Sequence, residues 1–397
     1  MRLSGGGTLG YCLNVHPTQT FAEVRAALLG PVREIKRRLC PDHPFGVGLR
    51  LSAEAASEAG VAAELAAIFK GEGFAAFTMN GFPYGRFHGA PVKEAVYEPD
   101  WTTAERVAYS LSLAETMAAL VPPGGFATIS TVPGGYAPRV TGREAAVADG
   151  LLQAVAGLVR LEQSTGRTVA LALEPEPWCL LDSTADAVTF FRAHLFTDAA
   201  ARRLGALAGL TADEAAAALP CHLGLCLDVC HMAVNFEEPV ETLAALAAAG
   251  IPIHKVQLSA ALRIARADAV ARERLAAFRD AVYLHQTVAR AADGPANGRV
   301  RRFLDLPQAL ESPGGEDEEW RVHFHVPVFA EPEPPLDSTS SALEGVLAIH
   351  RGRPVAPHLE VETYTWDVLP AEACGAGAMS VVDGIERELR WVLERLS

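Results

Sequence analysis

Short β-rich runs alternate with long amphipathic helical stretches along this chain, and that alternation constrains the fold more than any other feature. The strand-like runs are Tyr11–His16, Gly46–Ser52, Ala75–Asn80, Ala127–Thr131, Val169–Glu174, Leu223–Asp228, Ile253–Ser259 and Leu359–Thr363. Between them lie Phe21–Leu39, Ala53–Lys70, Thr103–Leu120, Arg143–Glu162, Ala185–Ala217 in two pieces, Val240–Ala249 and Leu343–Arg351, and Val381–Leu396 closes the chain. Eight β-α units with no second composition regime predict an α/β fold, a single (β/α)8 TIM-barrel domain over 1–397. A doubly wound open sheet would place a glycine-rich phosphate turn after its first strand. Here Gly5-Gly6-Gly7 precedes that strand.

One connection is abnormally long. About a hundred residues separate the seventh strand from the eighth, far beyond an ordinary loop. The insertion, roughly 263–340, is expected to fold over the C-terminal mouth of the barrel. It contains the strand-like run Arg321–Phe329, with His323 and His325 on one face. Asp293–Arg299 and Ser312–Glu319 read as exposed loops.

Composition excludes several classes. With 50% apolar and 21% charged residues the chain is neither disordered nor short of core. Its formal charge, 34 − 48 = −14, argues against a nucleic-acid partner. No apolar leader and no membrane-spanning stretch is visible, so a cytoplasmic location is expected. The seven cysteines lack a CxxC and read as buried free thiols. A zinc cluster of Cys226, Cys230, His222 and His231 is disfavoured, because Cys226 and Asp228 alternate along one strand.

In such a barrel the strand ends converge on one mouth. Glu174, Asp228, Gln257 and Glu362 end four consecutive strands and form an all-oxygen set for a divalent ion: magnesium or manganese, or zinc with an added histidine. Glu174, Glu362 and His231 are the candidate catalytic groups, able to move protons beside a polarised carbonyl. His16, Arg50, Asn80, Tyr84, His88, Lys93, His254, His323 and His325 are candidate substrate contacts. Glu176 and Glu360 are expected to support the ligands. Phe82, Tyr84 and Phe87 could wall the substrate. The bland alternative for each carboxylate is an ordinary ion pair at a strand end; their number on neighbouring strands favours the ion.

These motifs resemble the xylose isomerase-like TIM-barrel superfamily. Leu227-Asp228-Val-Cys-His231-Met resembles its Asp-x-x-His segment after strand six. Val256-Gln257-Leu-Ser259 and Glu362-Thr363 resemble its ligand segments on strands seven and eight, with Gln in place of His. His323-x-His325 falls where endonuclease IV-type members carry Asp-x-His. Longer strings, Asn80-Gly-Phe-Pro-Tyr84-Gly and Arg321-Val-His-Phe-His-Val-Pro327 among them, resemble the EboE family of metabolite traffic proteins. The resemblance implies a role in making or moving a secondary metabolite or lipid-like precursor, with partner proteins of the same pathway, and the strand-end carboxylates lead to a metal-dependent isomerase, epimerase or dehydratase acting on a small polyhydroxylated or cyclitol-like substrate. A non-catalytic metabolite carrier and an endonuclease IV-like phosphodiesterase are the alternatives.

Overall fold

The computed structural model describes residues 1–3, 5–294, 298–370 and 379–397. Cys374 lies outside them. Seven strands come first: β1 (Thr8–Cys12), β2 (Phe45–Arg50), β3 (Phe74–Asn80), β4 (Phe126–Thr131), β5 (Thr168–Leu173), β6 (Leu223–Asp228) and β7 (Ile253–Leu258). A second sheet follows, from β8 (Ala260–Ile264), β9 (Thr287–Ala291), β10 (Val300–Phe303), β11 (Glu318–Val326) and β12 (Leu336–Ser338). Then β13 (His358–Val361) slots between β7 and β1 and closes an eight-stranded barrel. Every pairing in the barrel is parallel.

The helices pack outside because their apolar residues repeat at helical spacing. The helix Glu144–Thr165 buries Val147, Leu151, Val155 and Leu158 on one face. Each such side chain is worth about 1.5–3 kcal/mol when taken from water. Two expected helices are subdivided. Ala53–Lys70 breaks at Gly60, whose φ of 86° only glycine adopts cheaply, into Ala53–Ser57 and Val61–Glu72. Ala185–Ala217 forms three helical pieces, starting at Thr184, Asp198 and Ala212. Ser183, Thr197 and Thr211 cap them through their hydroxyls.

The barrel interior is not wholly apolar. Lys255 on β7 and Glu360 on β13 are fully buried, 2.5 Å apart, and the lysine also reaches Ser130 Oγ at 3.1 Å. Gly48 on β2 makes room for this pair. A Cβ there would stand 1.3 Å from Glu360 Oε1.

The insertion is an antiparallel sheet in the order β10-β9-β11-β8-β12. Trp320, Val322, Phe324 and Val326 on β11 point into its own apolar cluster with Leu262 and Leu306. The register of β11 against β8 slips between Val322 and His325. Side chains alternate along the strand in spite of this slip, so His323 and His325 leave this cluster and line the cavity with the barrel's carboxylates. The expected loops are largely exposed where described, except that Glu318 and Glu319 start β11.

Candidate metal centre at the barrel mouth

A small cavity of about 60 Å³ opens at the C-terminal ends of the strands. Glu174, Asp228 and Glu362 line its floor, and each is almost fully buried. They stand at the ends of β5, β6 and β13, where the chain leaves the ladder. One carboxylate oxygen from each lies within 4.8 Å of the others. Three buried anions so close repel strongly unless protons or a cation intervene.

The surrounding hydrogen bonds hold these carboxylates without neutralising them. Glu362 Oε1 accepts from Asn14 Nδ2 and Asn80 Nδ2, both at 3.0 Å, and Oε2 accepts from Gln257. Asp228 Oδ1 accepts from Ser259 Oγ at 2.7 Å and from the His231 amide at 3.1 Å. Glu174 Oε2 and Asp228 Oδ2 are buried with no hydrogen-bond partner among the described residues. Burial, then the charges of Glu362 and Asp228, pushes the Glu174 carboxyl well above its ordinary range. Burial raises Glu362 to about 7 even though the Lys255 ammonium opposes it.

Three histidines continue the site upward. His231 Nδ1 faces Pro175 O at 2.9 Å and His325 Nδ1 faces Glu362 O, at 2.6 Å. His323 Nδ1 faces Gln286 Oε1 at 2.8 Å. That amide is oriented by its nitrogen, which donates to Tyr97 Oη and Glu176 Oε1. Each acceptor is an oxygen without a proton, so each Nδ1 carries a hydrogen, and on His323 and His325 Nε2 presents a lone pair. His231 Nε2 and His323 Nε2 lie 3.1 Å apart with no hydrogen assigned between them by this network, and His325 Nε2 has no partner. Burial pushes His325 down to about 4 and His323 well below its ordinary value, which keeps both neutral at physiological pH.

No family model and no curated protein matches the chain. Among solved structures, a xylose isomerase-like TIM barrel protein from Mycobacterium smegmatis in complex with magnesium aligns over 100% of this chain and 98% of its own, with 10% identity and a TM-score of 0.50. A xylose isomerase domain protein from Planctomyces limnophilus aligns over 91% and 88%, at 11% identity and a TM-score of 0.44. The IOLI protein with a bound zinc atom aligns over 98% and 99%, at 12% identity and a TM-score of 0.44. The fold is a xylose isomerase-like (β/α)8 barrel.

Within this xylose isomerase-like barrel the donor set fits a divalent ion. Two buried carboxylate oxygens and one imidazole nitrogen lack partners and face one cavity. Ligand atoms of Asp228, His231 and His325 lie within 4.8 Å of one another, as do those of Glu176, His231 and His323. Two ligands on one tetrahedral ion at about 2.0–2.1 Å sit roughly 3.3 Å apart, close to the separation of the two Nε2 atoms.

Several sequence expectations are placed differently. Gln257 does not present its oxygen to the cluster. Its nitrogen donates to Glu362, and its oxygen accepts from Cys226 Sγ at 2.8 Å, because a carboxylate neighbour demands the donor end of the amide. His254 lies outside the cavity, packed on Phe126 with ring centroids 5.4 Å apart. His16 and Arg50 are buried beside the site, not lining it. His16 meets Tyr11 Oη at 3.2 Å, and Arg50 donates to Thr18 O at 2.8 Å and to Gly85 O. Tyr84 packs on Tyr109 and faces a separate groove. His88 also lies behind the cavity wall, bonded to Asn14 O at 2.6 Å and Tyr283 Oη at 2.7 Å. Glu360 belongs to the buried pair with Lys255. Asn80, Lys93, Glu176, Phe82 and Phe87 do line the cavity.

Sequence reasoning missed Tyr97, Tyr283, Leu284, Gln286 and Tyr364, which reach the site from loops and the insertion with no periodicity to mark them. Lys255 carried a signal that went unread: a charge inside an otherwise apolar strand demands a buried partner. Among the described residues no helix is long and apolar enough to cross a membrane.

Proposed function

We propose that this chain is a metal-dependent enzyme that isomerises, epimerises or dehydrates a small molecule bearing adjacent carbonyl and hydroxyl oxygens, the class that includes polyhydroxylated and cyclitol-like compounds. The observation that carries this reading is the convergence of Glu174, Asp228 and Glu362 with two buried oxygens left unpartnered. Those three residues would hold the ion. Bound there, a divalent cation supplies Lewis-acid polarisation of the substrate carbonyl. A second ion would sit among His231, His323 and His325, a reading supported by their converging Nε2 atoms.

The chain's own groups do the rest. Glu174 would exchange a proton with the carbon beside the carbonyl through whichever carboxylate oxygen the ion leaves free, and Glu362 would be the second proton carrier. Asn14 and Asn80 fix Glu362 in one orientation. Phe82, Phe87 and Tyr364 exclude water from above.

The finer assignment, a role in making or moving a secondary metabolite, rests on the likeness of the Asn80–Gly85 and Arg321–Pro327 strings to EboE proteins. Asn80, Phe82 and Pro83 line the cavity, and so do His323 and His325.

Metal analysis of the purified protein tests the reading. A divalent ion is expected in the wild type and lost in Glu174→Ala and Asp228→Ala. Full loading of both variants refutes it. Deuterium exchange at the α-carbon of a bound hydroxy ketone, followed by NMR, then separates turnover from carriage.

A further inference from the structure

We infer that the molecule accepted here is polar at one end only: a chelating hydroxy-carbonyl head joined to an uncharged, apolar ring or alkyl body. The inference rests on the proposed metal-dependent reading for the head and on the opposite wall of the cavity for the body.

That wall is apolar. Phe82, Phe87, Val96, Leu284 and Tyr364 line the cavity together with the carboxylates. The rings of Phe87, Tyr283 and Tyr364 form one cluster, with centroids 5.0–5.3 Å apart. Such a surface accepts a planar ring by offset or edge contacts and favours it over the distal hydroxyls of a polyol. Two of the tyrosine hydroxyls at this wall are already engaged. Tyr283 Oη bonds His88 Nδ1 at 2.7 Å, and Tyr97 Oη donates to Glu176 Oε1 at 2.9 Å.

The charge balance points the same way. Among the described residues Lys93 is the one lysine or arginine lining the cavity. Its ammonium is committed to Asp305 Oδ2 at 2.7 Å and to Tyr283 O at 2.6 Å. Arg50 is turned away onto Thr18 and Gly85. Four carboxylates, from Glu174, Glu176, Asp228 and Glu362, line the same space. A phosphate or carboxylate on the body of the substrate would therefore find no free lysine or arginine in the cavity, and its only cationic partner would be metal that the head already engages.

Calorimetry on the manganese-loaded protein tests this with three probes that share one head: 2-hydroxyacetophenone, dihydroxyacetone and dihydroxyacetone phosphate. The ring compound is expected to bind roughly tenfold or more tighter than dihydroxyacetone, the factor that follows when an aromatic body leaves water. The phosphate is expected to bind no tighter than dihydroxyacetone. Leu284→Ser is expected to weaken the ring compound several-fold and to leave dihydroxyacetone unchanged. Equal affinities for the ring compound and dihydroxyacetone, or a preference for the phosphate, overturn the inference. The same titrations after chelation keep the two readings apart. A protein that binds no metal yet still prefers the ring loses the proposed function and keeps this wall; one that binds metal without ring preference does the reverse.

Discussion

Glu174→Gln should make the metal-free protein more stable, not less, once the pH is above neutrality. The wild type confines three carboxylates within 4.8 Å. At an effective dielectric of about 20, two unit charges at that distance repel by about 3 kcal/mol. Burial adds a cost of its own: it is the largest cause of the rise of Glu362 from 4.5 to about 7, and at about 1.36 kcal/mol for each pH unit that rise costs the ionised form about 3 kcal/mol. The sign follows from linkage. The folded value lies above the unfolded one, so this contribution to stability is complete below about pH 4.5 and is lost as the pH rises through about 7. Glu174 is shifted in the same direction. Gln removes one charge and, with Glu174 Oε2 unpartnered, no hydrogen bond at that atom. Urea unfolding in the presence of chelator should therefore show Glu174→Gln more stable than wild type by about 3 kcal/mol at pH 9. At pH 5, where the wild-type carboxyl already carries a proton, the two should agree within about 0.5 kcal/mol. The histidines pushed low by burial titrate alike in both proteins and cancel in the difference. Equal destabilisation at both pH values would refute the reasoning and make Glu174 a structural hydrogen-bonding residue.

Other perturbations have equally definite outcomes. Lys255→Met strands a buried Glu360 and should cost about 3–5 kcal/mol in urea unfolding, most of it recovered in Lys255→Met/Glu360→Gln. Gly48→Ala puts a methyl 1.3 Å from Glu360 Oε1, whose side chain is tied to Lys255, and should lose at least about 3 kcal/mol by the same measurement. His323→Ala should lower the zinc stoichiometry, measured by equilibrium dialysis, while the ion held by Glu174, Asp228 and Glu362 remains; unchanged stoichiometry removes the histidine cluster as a second position. Leu151→Ala on the outer helix should destabilise by about 2–5 kcal/mol and leave metal binding intact, separating core packing from the site.

The barrel was legible because its signals are local. A strand buried on both faces must be apolar throughout, as Leu171, Leu173, Leu225 and Val256 are, and a surface helix must repeat its apolar residues at 3–4 spacing. The carboxylates at the strand ends were legible for a related reason. An acid that terminates an apolar run is placed by the strand itself, so Glu174, Asp228 and Glu362 could be assigned to one mouth before any coordinates.

Whatever depends on approach between distant segments was decided by tertiary structure alone. Gln257 has a ligand's position in sequence, yet its amide is turned by the charge of Glu362, more than a hundred residues away. His254 shares its strand, and its ring packs on Phe126 outside the cavity. His323 and His325 share a face by strand alternation, but which way that face turns is set by how β11 pairs within the second sheet. The roof of Tyr283, Leu284 and Tyr364, and the commitment of Lys93 to Asp305, arise where a long insertion folds back on the barrel. Periodicity and strand-end chemistry thus settled the barrel and its acidic floor. The wall that would read a substrate, and the partners that set each group's charge, came from contacts with no signature in the linear chain.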